Sequence, residues 1–242
     1  MADRKQRVPK LEPIAPRVWL LRGGLTGTMN AYFIEDGDGV VVFDTGEKGM
    51  ARAIAAAGER LGGITKVVLG HGDTDHRGSA AALSAIAPVV CHPDAVEQAE
   101  GSGGRDYWDM SKLPLGVRLL HTFTHRYVWD GGPVKISGTV DEGDRIADFE
   151  VVDFSGHAPG QIGLWRAADR VALVSDTVYL TTMTGRPAPA HVPQEAYNLD
   201  TERARVSIAK LAKLDPLVVA PGHLGPLSGP SVRTELERAA ST

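Results

Sequence analysis

Apolar residues follow two rhythms along this chain: short unbroken runs that predict buried strands, and a helical recurrence that predicts amphipathic helices. From Arg17 to Phe43 three strand candidates alternate with glycine-bearing turns, which predicts a meander. Met50, Ile54, Ala57 and Leu61 then recur at helical spacing, and Gly62-Gly63 stops the helix. Val67-Val68-Leu69-Gly70 is the next buried strand. Ser79 is placed to cap a helix through Ala87, ended by Pro88, before a strand at Val89-Val90-Cys91. Val140 to Val174 supplies several more strands. Asp200 is placed to cap a helix reaching about Leu214, with Ala204, Ile208 and Leu211 on one face, and Pro230 opens a last helix carrying Val232, Leu236 and Ala239. The two halves repeat one plan, strands followed by helices, without a literal sequence repeat. Gly101 to Gly138 and Thr181 to Asn198 break the plan: both are rich in glycine, proline and aromatic residues, and long irregular stretches of this kind are often lids or binding loops.

The polar residues that end these apolar runs carry the candidate chemistry. His71-Gly72-Asp73-Thr74-Asp75-His76 follows Val67–Gly70 directly, so imidazoles and carboxylates crowd a loop held at the end of a strand. Histidine beside carboxylate suits zinc, iron or manganese better than magnesium or calcium, whose ligands are mostly oxygen. The arrangement returns three times. His157 sits in the turn Phe154-Ser155-Gly156-His157-Ala158-Pro159-Gly160 after the strand-like 149–153; Val171–Val174 leads to Asp176; and 216–222 leads to His223.

In order and surroundings these elements resemble the metallo-β-lactamase superfamily of binuclear metal hydrolases, from about Val18 to His223. The opening strand Asn30–Ile34 and the Asp44-Thr45-Gly46 turn add to the likeness. The resemblance implies an α/β fold of the αββα four-layer sandwich type, with the metal site at one edge of two sheets. It implies one domain over 1–242, with lid or binding-loop insertions at about 101–138 and 181–198. It further implies two divalent metal ions, zinc first, with iron or manganese as alternatives. His71, Asp73 and His157 would hold the first, Asp75, His76 and His223 the second, and Asp176 would bridge them. One position departs from the family's His-x-His-x-Asp-His: Asp73 stands where its second histidine would be. A carboxylate there either ligates, making the first site harder and more anionic, or points away and leaves that site weak.

The remaining candidates are weighed residue by residue. Asp44 is expected to hydrogen-bond beneath the metal loop as a support. His121 and His125, four apart, would share a helix face, but the glutamate of a His-Glu-x-x-His pair is missing, so a solvent-facing or lid role is expected. His92, beside Pro93, reads as structural. Trp108, His191 and Tyr197 are the candidate substrate contacts, with Tyr107 and Trp129 as further lid aromatics that are buried or line a pocket.

Composition narrows the function. With 242 residues, 43% of them hydrophobic, the chain can bury a substantial core, and its net charge of −4 argues against a broad basic surface for nucleic acid or anionic membrane. Cys91 is the only cysteine, so no intramolecular disulfide or thiolate cluster can form. The first ten residues are charged and proline-broken instead of carrying the apolar core of a secretory signal, and no stretch approaches the apolar length of a membrane span; the expected setting is the cytoplasm. A small-molecule substrate follows, with no nucleic-acid or membrane partner. The expected reaction is hydrolysis of a small ester-like carbonyl compound, a lactone or thioester, by a metal-activated hydroxide, with Asp75 also in an acid/base role. The alternatives are a phosphodiesterase of the same fold, for which Arg77, Arg105 and Arg186 are the available cations, and a non-catalytic metal-binding protein.

Overall fold

The structure is a computed structural model that describes residues 10–183 and 185–242. Most of the charged N-terminal stretch, and Thr184 of the second lid, lie outside the described residues.

The predicted meander is β1 (Leu11–Ala15), β2 (Val18–Gly23), β3 (Met29–Asp36) and β4 (Gly39–Phe43), paired antiparallel in sequence order. Helix α1 (Ala51–Arg60) carries the chain across to β5 (Ile64–Val68), which joins β4 in parallel. After α2 (Thr74–Arg77) and α3 (Ala80–Leu83), β6 (Val89–Cys91) extends the sheet, and after α4 (Val96–Glu100) and α5 (Leu115–Thr124) β7 (Gly138–Thr139) closes it. The second sheet is built from β8 (Arg145–Ile146), β9 (Phe149–Asp153), β10 (Ile162–Arg166) and β11 (Val171–Ser175). β12 (Tyr179–Thr181) and β13 (Pro187–His191) form a separate ribbon, and α6 (Thr201–Lys213) leads to β14 (Val218–Pro221), which pairs with β11 in parallel. β15 (Leu227–Ser228) and α7 (Val232–Ser241) end the chain.

The side-chain period of two sorts these strands into layers. Tyr32, Ile34, Val41, Phe43 and Val68 face the second sheet and meet Phe149, Val151, Ile162, Leu164, Val171 and Leu173. Their neighbours Phe33, Val42, Val67 and Leu69 point outward onto Ile54, Ala57, Ala80 and Leu83 of α1 and α3. On the far side Val152, Ala172 and Val174 pack on Ile208 and Leu211 of α6 and Leu236 of α7. Three apolar interfaces make four layers, αββα. Both sheets are covered on both faces, which is why their central strands read as continuous apolar runs instead of alternating ones.

Several predicted boundaries shift. Asp200 caps α6 as expected, accepting from the Arg203 amide at 3.0 Å. Ser79 does not cap a helix to Ala87. Its hydroxyl donates to the Glu47 carbonyl at 2.7 Å, tying α3 to the turn after β4, and the regular helix ends at Leu83. The last helix begins at Val232, two residues after Pro230. The stretch 101–138 is irregular only in part: it contains α5 and a π-helical turn at His125–Trp129. The second lid contains β13. Among the described residues no helix is long and apolar enough to cross a membrane.

Candidate metal centre

Every strand that ends near the site delivers one group of side chains to it. β5 runs through Leu69-Gly70 into 71–76, β9 into the turn of His157, β11 into Asp176, and β14 into His223. The loop after β5 thus comes from the first sheet and the other three from the second. All seven predicted metal ligands meet where these loops converge. Their ligating atoms fall into three overlapping groups: His71, Asp73 and His157; His71, His76 and Asp176; Asp75, His76 and His223. In each group the atoms lie within 4.8 Å of one another.

The spacing has a chemical meaning. Donor atoms about 2.0–2.1 Å from a common tetrahedral ion lie about 3.3–3.4 Å apart. Here Asp73 Oδ2 is 3.6 Å from both His71 Nε2 and His157 Nε2, and His223 Nε2 is 3.6 Å from Asp75 Oδ2. Asp176 stands between the groups, with Oδ1 3.3 Å from His76 Nε2 and Oδ2 3.3 Å from His223 Nε2 and 3.7 Å from His157 Nε2. His71 Nε2 and Asp176 Oδ1 are buried yet make no hydrogen bond, although the latter lies within ion-pair range of His76. A buried polar atom without a partner is costly, and a cation at the convergence point would satisfy both. Gly222 leaves the room: a Cβ there would lie 2.2 Å from His76 Cε1 and 2.4 Å from Asp176 Oδ1. The donor set, the orphaned atoms and this clearance fit metal ions.

Three imidazoles are oriented through the ring nitrogen that does not face the site. His76 Nδ1 lies 3.1 Å from Asp44 Oδ2, His157 Nδ1 3.0 Å from Asn198 Oδ1, and His71 Nδ1 3.0 Å from Ser175 Oγ. Ser175 in turn donates to Asp44 Oδ2 at 2.6 Å, and Asp44 Oδ1 accepts from the Gly70 amide at 2.7 Å. These partners occupy Nδ1 of each ring and leave each Nε2 facing the site. Asp44 therefore lies beneath the metal loop. Ser175, Asn198 and Tyr179, whose hydroxyl donates to Asp176 Oδ2 at 2.9 Å, are absent from the sequence-level candidates. Ser175 and Tyr179 flank Asp176 closely in sequence; Asn198 carries no local signal.

Burial in the presence of so many carboxylates pulls the titrations apart. Burial pushes His71 down to about 4, helped by its neighbour His76. His76 is also buried, but Asp176, Asp44 and Asp75 outweigh that and hold it well above the usual imidazole range. Burial would raise Asp176, yet His76 and His223 hold it well below the usual carboxylate range.

The site opens into a cavity of about 240 Å³. Asp73, Asp75, His157, Asp176 and His223 line its floor, and Trp108, Val117, Leu120, Trp129, Tyr197 and Met29 are among its walls. Trp108 and Tyr197 thus line it; His191 does not, its ring packing edge-on to Tyr179 at 6.1 Å. His92 is structural, 3.2 Å from Asp141 and accepting from the Asp94 amide. His121 and His125 are buried, not solvent-facing, because Trp108, Trp129 and Tyr197 pack around the first and Trp108 against the second. Burial takes His121 down to about 4. Arg77 is also buried, and its guanidinium is spent on the carbonyls of Gln98, Ala99 and Gly101 and on Asp130. Arg105 and Arg186 are exposed.

A four-layer αββα fold whose edge gathers seven histidines and aspartates into a metal-competent centre defines a class, the metal-dependent hydrolases. Within it the chain belongs to the metallo-β-lactamase superfamily, whose family model matches residues 26–223. Among its relatives is "Probable metallo-hydrolase YflN" of Bacillus subtilis, 26% identical over 228 residues, covering 88% of this chain and 86% of that protein. The metallo-β-lactamase family protein TTHA1429 of Thermus thermophilus superposes with a TM-score of 0.68 at 21% identity, covering 95% of this chain and 80% of that one. TTHA1623, solved in a di-iron-bound form, gives 0.63 at 24% identity, covering 89% of this chain and 97% of that one.

Proposed function

We propose that this protein hydrolyses a small, uncharged, largely apolar carbonyl ester, a lactone or thioester being the best fit, at a centre of two divalent metal ions. The observation that carries the proposal is the lining of the cavity: among the described residues it contains no lysine or arginine, while tryptophan, leucine, valine and methionine form much of its walls. A phosphodiester would bring its own negative charge beside Asp73, Asp75 and Asp176 with no side-chain cation to meet it, since Arg77 is buried and committed elsewhere. The volume also argues for a small substrate, lying just below the roughly 300–1,000 Å³ of common ligand pockets.

His71, Asp73 and His157 would hold one ion, Asp75, His76 and His223 the other, with Asp176 shared. Bound ions supply a water of lowered pKa and polarise the substrate's carbonyl oxygen. The chain's own groups do the rest. Asp75, the least buried of the carboxylates at the floor, orients the attacking water and hands its proton to the departing alkoxide or thiolate as the carbonyl carbon gains the water oxygen and loses the acyl–oxygen or acyl–sulfur bond. The Asp44–Ser175 pair keeps His71 and His76 aimed, and Trp108 and Tyr197 keep bulk water from the apolar side of the substrate. Zinc remains the first candidate. Iron stands beside it because TTHA1623 was solved with two irons and because the carboxylate of Asp73 hardens the first site.

The test is a panel of aryl esters, lactones, thioesters and bis-aryl phosphates, run with protein loaded separately with zinc, ferrous iron and manganese. Turnover of acyl substrates, with about two metal equivalents per chain by elemental analysis, is the expected result. Turnover of the phosphodiester alone, or an inert protein under all three metals, would overturn it.

A further inference from the structure

The imidazole ligands His71, His76 and His157 each have a second ring nitrogen by which the protein holds them, through Ser175, Asp44 and Asn198. A carboxylate has no second ring nitrogen and is oriented instead by donors to its oxygens, as Tyr179 does for Asp176. Asp73 also makes no capping bond to the short helix α2 that begins after it, so nothing in its own element fixes the side chain. The hydroxyl of Tyr107 lies 2.6 Å from both Oδ1 and Oδ2 of Asp73, reaching it from the first lid. A single O–H shared by both oxygens holds the end of the carboxylate in place from the lid side. So held, Asp73 keeps its Oδ2 3.6 Å from both His71 Nε2 and His157 Nε2.

The lid backbone is fitted to this contact. Gly104 passes so close that a Cβ would lie 2.6 Å from Asp73 Oδ1 and 2.4 Å from the Trp108 ring, and its φ of +99° is one that side-chain-bearing residues rarely adopt. Gly103 crosses Thr74 and Arg77 in the same way, with Cβ clearances of 2.5 and 2.8 Å. Arg77 ties both ends of the segment down, through Gly101 and Asp130. An imidazole at position 73 is bulkier than the carboxylate and would press on the Tyr107 hydroxyl and the Gly104 backbone.

We infer that Tyr107 is a positioning residue for the first metal ion: its hydroxyl supplies the orienting hydrogen bond that Asp73 needs in place of histidine, so that filling the first site and seating the lid are one coupled event. The inference rests on the metal centre proposed above. Linkage makes the coupling reciprocal, so a seated lid tightens the ion and the ion seats the lid.

The experiment is a metal titration by competition with a chromophoric chelator, on the wild type, Tyr107→Phe, Asp73→Ala and the double variant. Tyr107→Phe keeps the ring and removes only the hydroxyl. It is expected to weaken one of two binding events by about 10–100-fold, as loss of an outer partner of a metal ligand does, and to leave the other unchanged. In the Asp73→Ala background the same change is expected to have no effect on the remaining site. Wild-type affinity in Tyr107→Phe overturns the inference, as does an equal loss with and without Asp73, which would mark a general packing role. A wild type that takes up no metal removes the metal centre itself, and the inference with it. Hydrogen exchange on the wild type gives an independent reading: amides at 104–108 slow when the first ion binds, and exchange unchanged by metal overturns the coupling.

Discussion

Asp44 shows how much one side chain can determine here. It holds a left-handed backbone (φ 57°), a conformation that aspartate tolerates better than most residues, and is fully buried. From there it receives three donors, the Gly70 amide, Ser175 Oγ and His76 Nδ1. Two of these lead to candidate metal ligands, directly to His76 and through Ser175 to His71. Asp44→Asn keeps the shape but replaces one acceptor oxygen with an amide donor facing other donors. Its expected effect is a roughly 10–100-fold loss of metal affinity, read by the same competition titration. Unchanged affinity would mean that the ligands hold their orientation without it.

The element that departs most from expectation is α5. Its leucines, Leu115, Leu119 and Leu120, and Phe123 are more than half exposed, while His121 faces inward. Aromatic rings repay the burial. His121 stacks on Tyr197 at 5.2 Å and meets Trp108 and Trp129 edge-on, and the burial these rings impose favours the neutral imidazole. A pH dependence follows. The folded lid holds His121 at about 4 against an ordinary 6.5, so the unfolded lid binds the proton more tightly. The stabilisation is fully present above pH 6.5 and is lost as pH falls from there through 4. Limited proteolysis within 101–138 is expected to accelerate over that window, with a cost on the order of 1–3 kcal/mol, and His121→Leu is expected to flatten the acid limb. Cleavage indifferent to pH over that interval in the wild type would contradict this account of the lid.

Across the whole molecule the centre works as a seam. Four of the seven candidate ligands come from the loop after β5 of the first sheet and three from loops of the second, so an ion bound there would join two halves otherwise held by the apolar layer between the sheets. Asp73, Asp75 and Asp176 repel one another across that seam unless cations stand between them. Chelation is therefore expected to destabilise the fold. At a metal concentration about 1,000 times the dissociation constant the linkage contributes about 4 kcal/mol, or roughly 10 °C in Tm for a chain of this size. Scanning calorimetry with and without EDTA checks it, and coincident transitions would show that the ions contribute nothing to folding.

The order of strands and helices, the apolar runs of both sheets and the strand-end positions of His71, His76, His157, Asp176 and His223 were legible in the sequence alone. Each rests on local periodicity or on a side chain adjacent in the chain to a strand, and local pattern is what a sequence displays directly. Helix limits were less legible: Ser79 is spent on a carbonyl 32 positions away, and no window around it reveals that. The inward turn of His121, the loss of Arg77 to backbone carbonyls, the absence of His191 from the cavity and the grip of Tyr107 on Asp73 were decided only by the tertiary structure. In each case the partner lies far along the chain or on another element, and a side chain's role in a buried site is set by what it meets there, not by its own type.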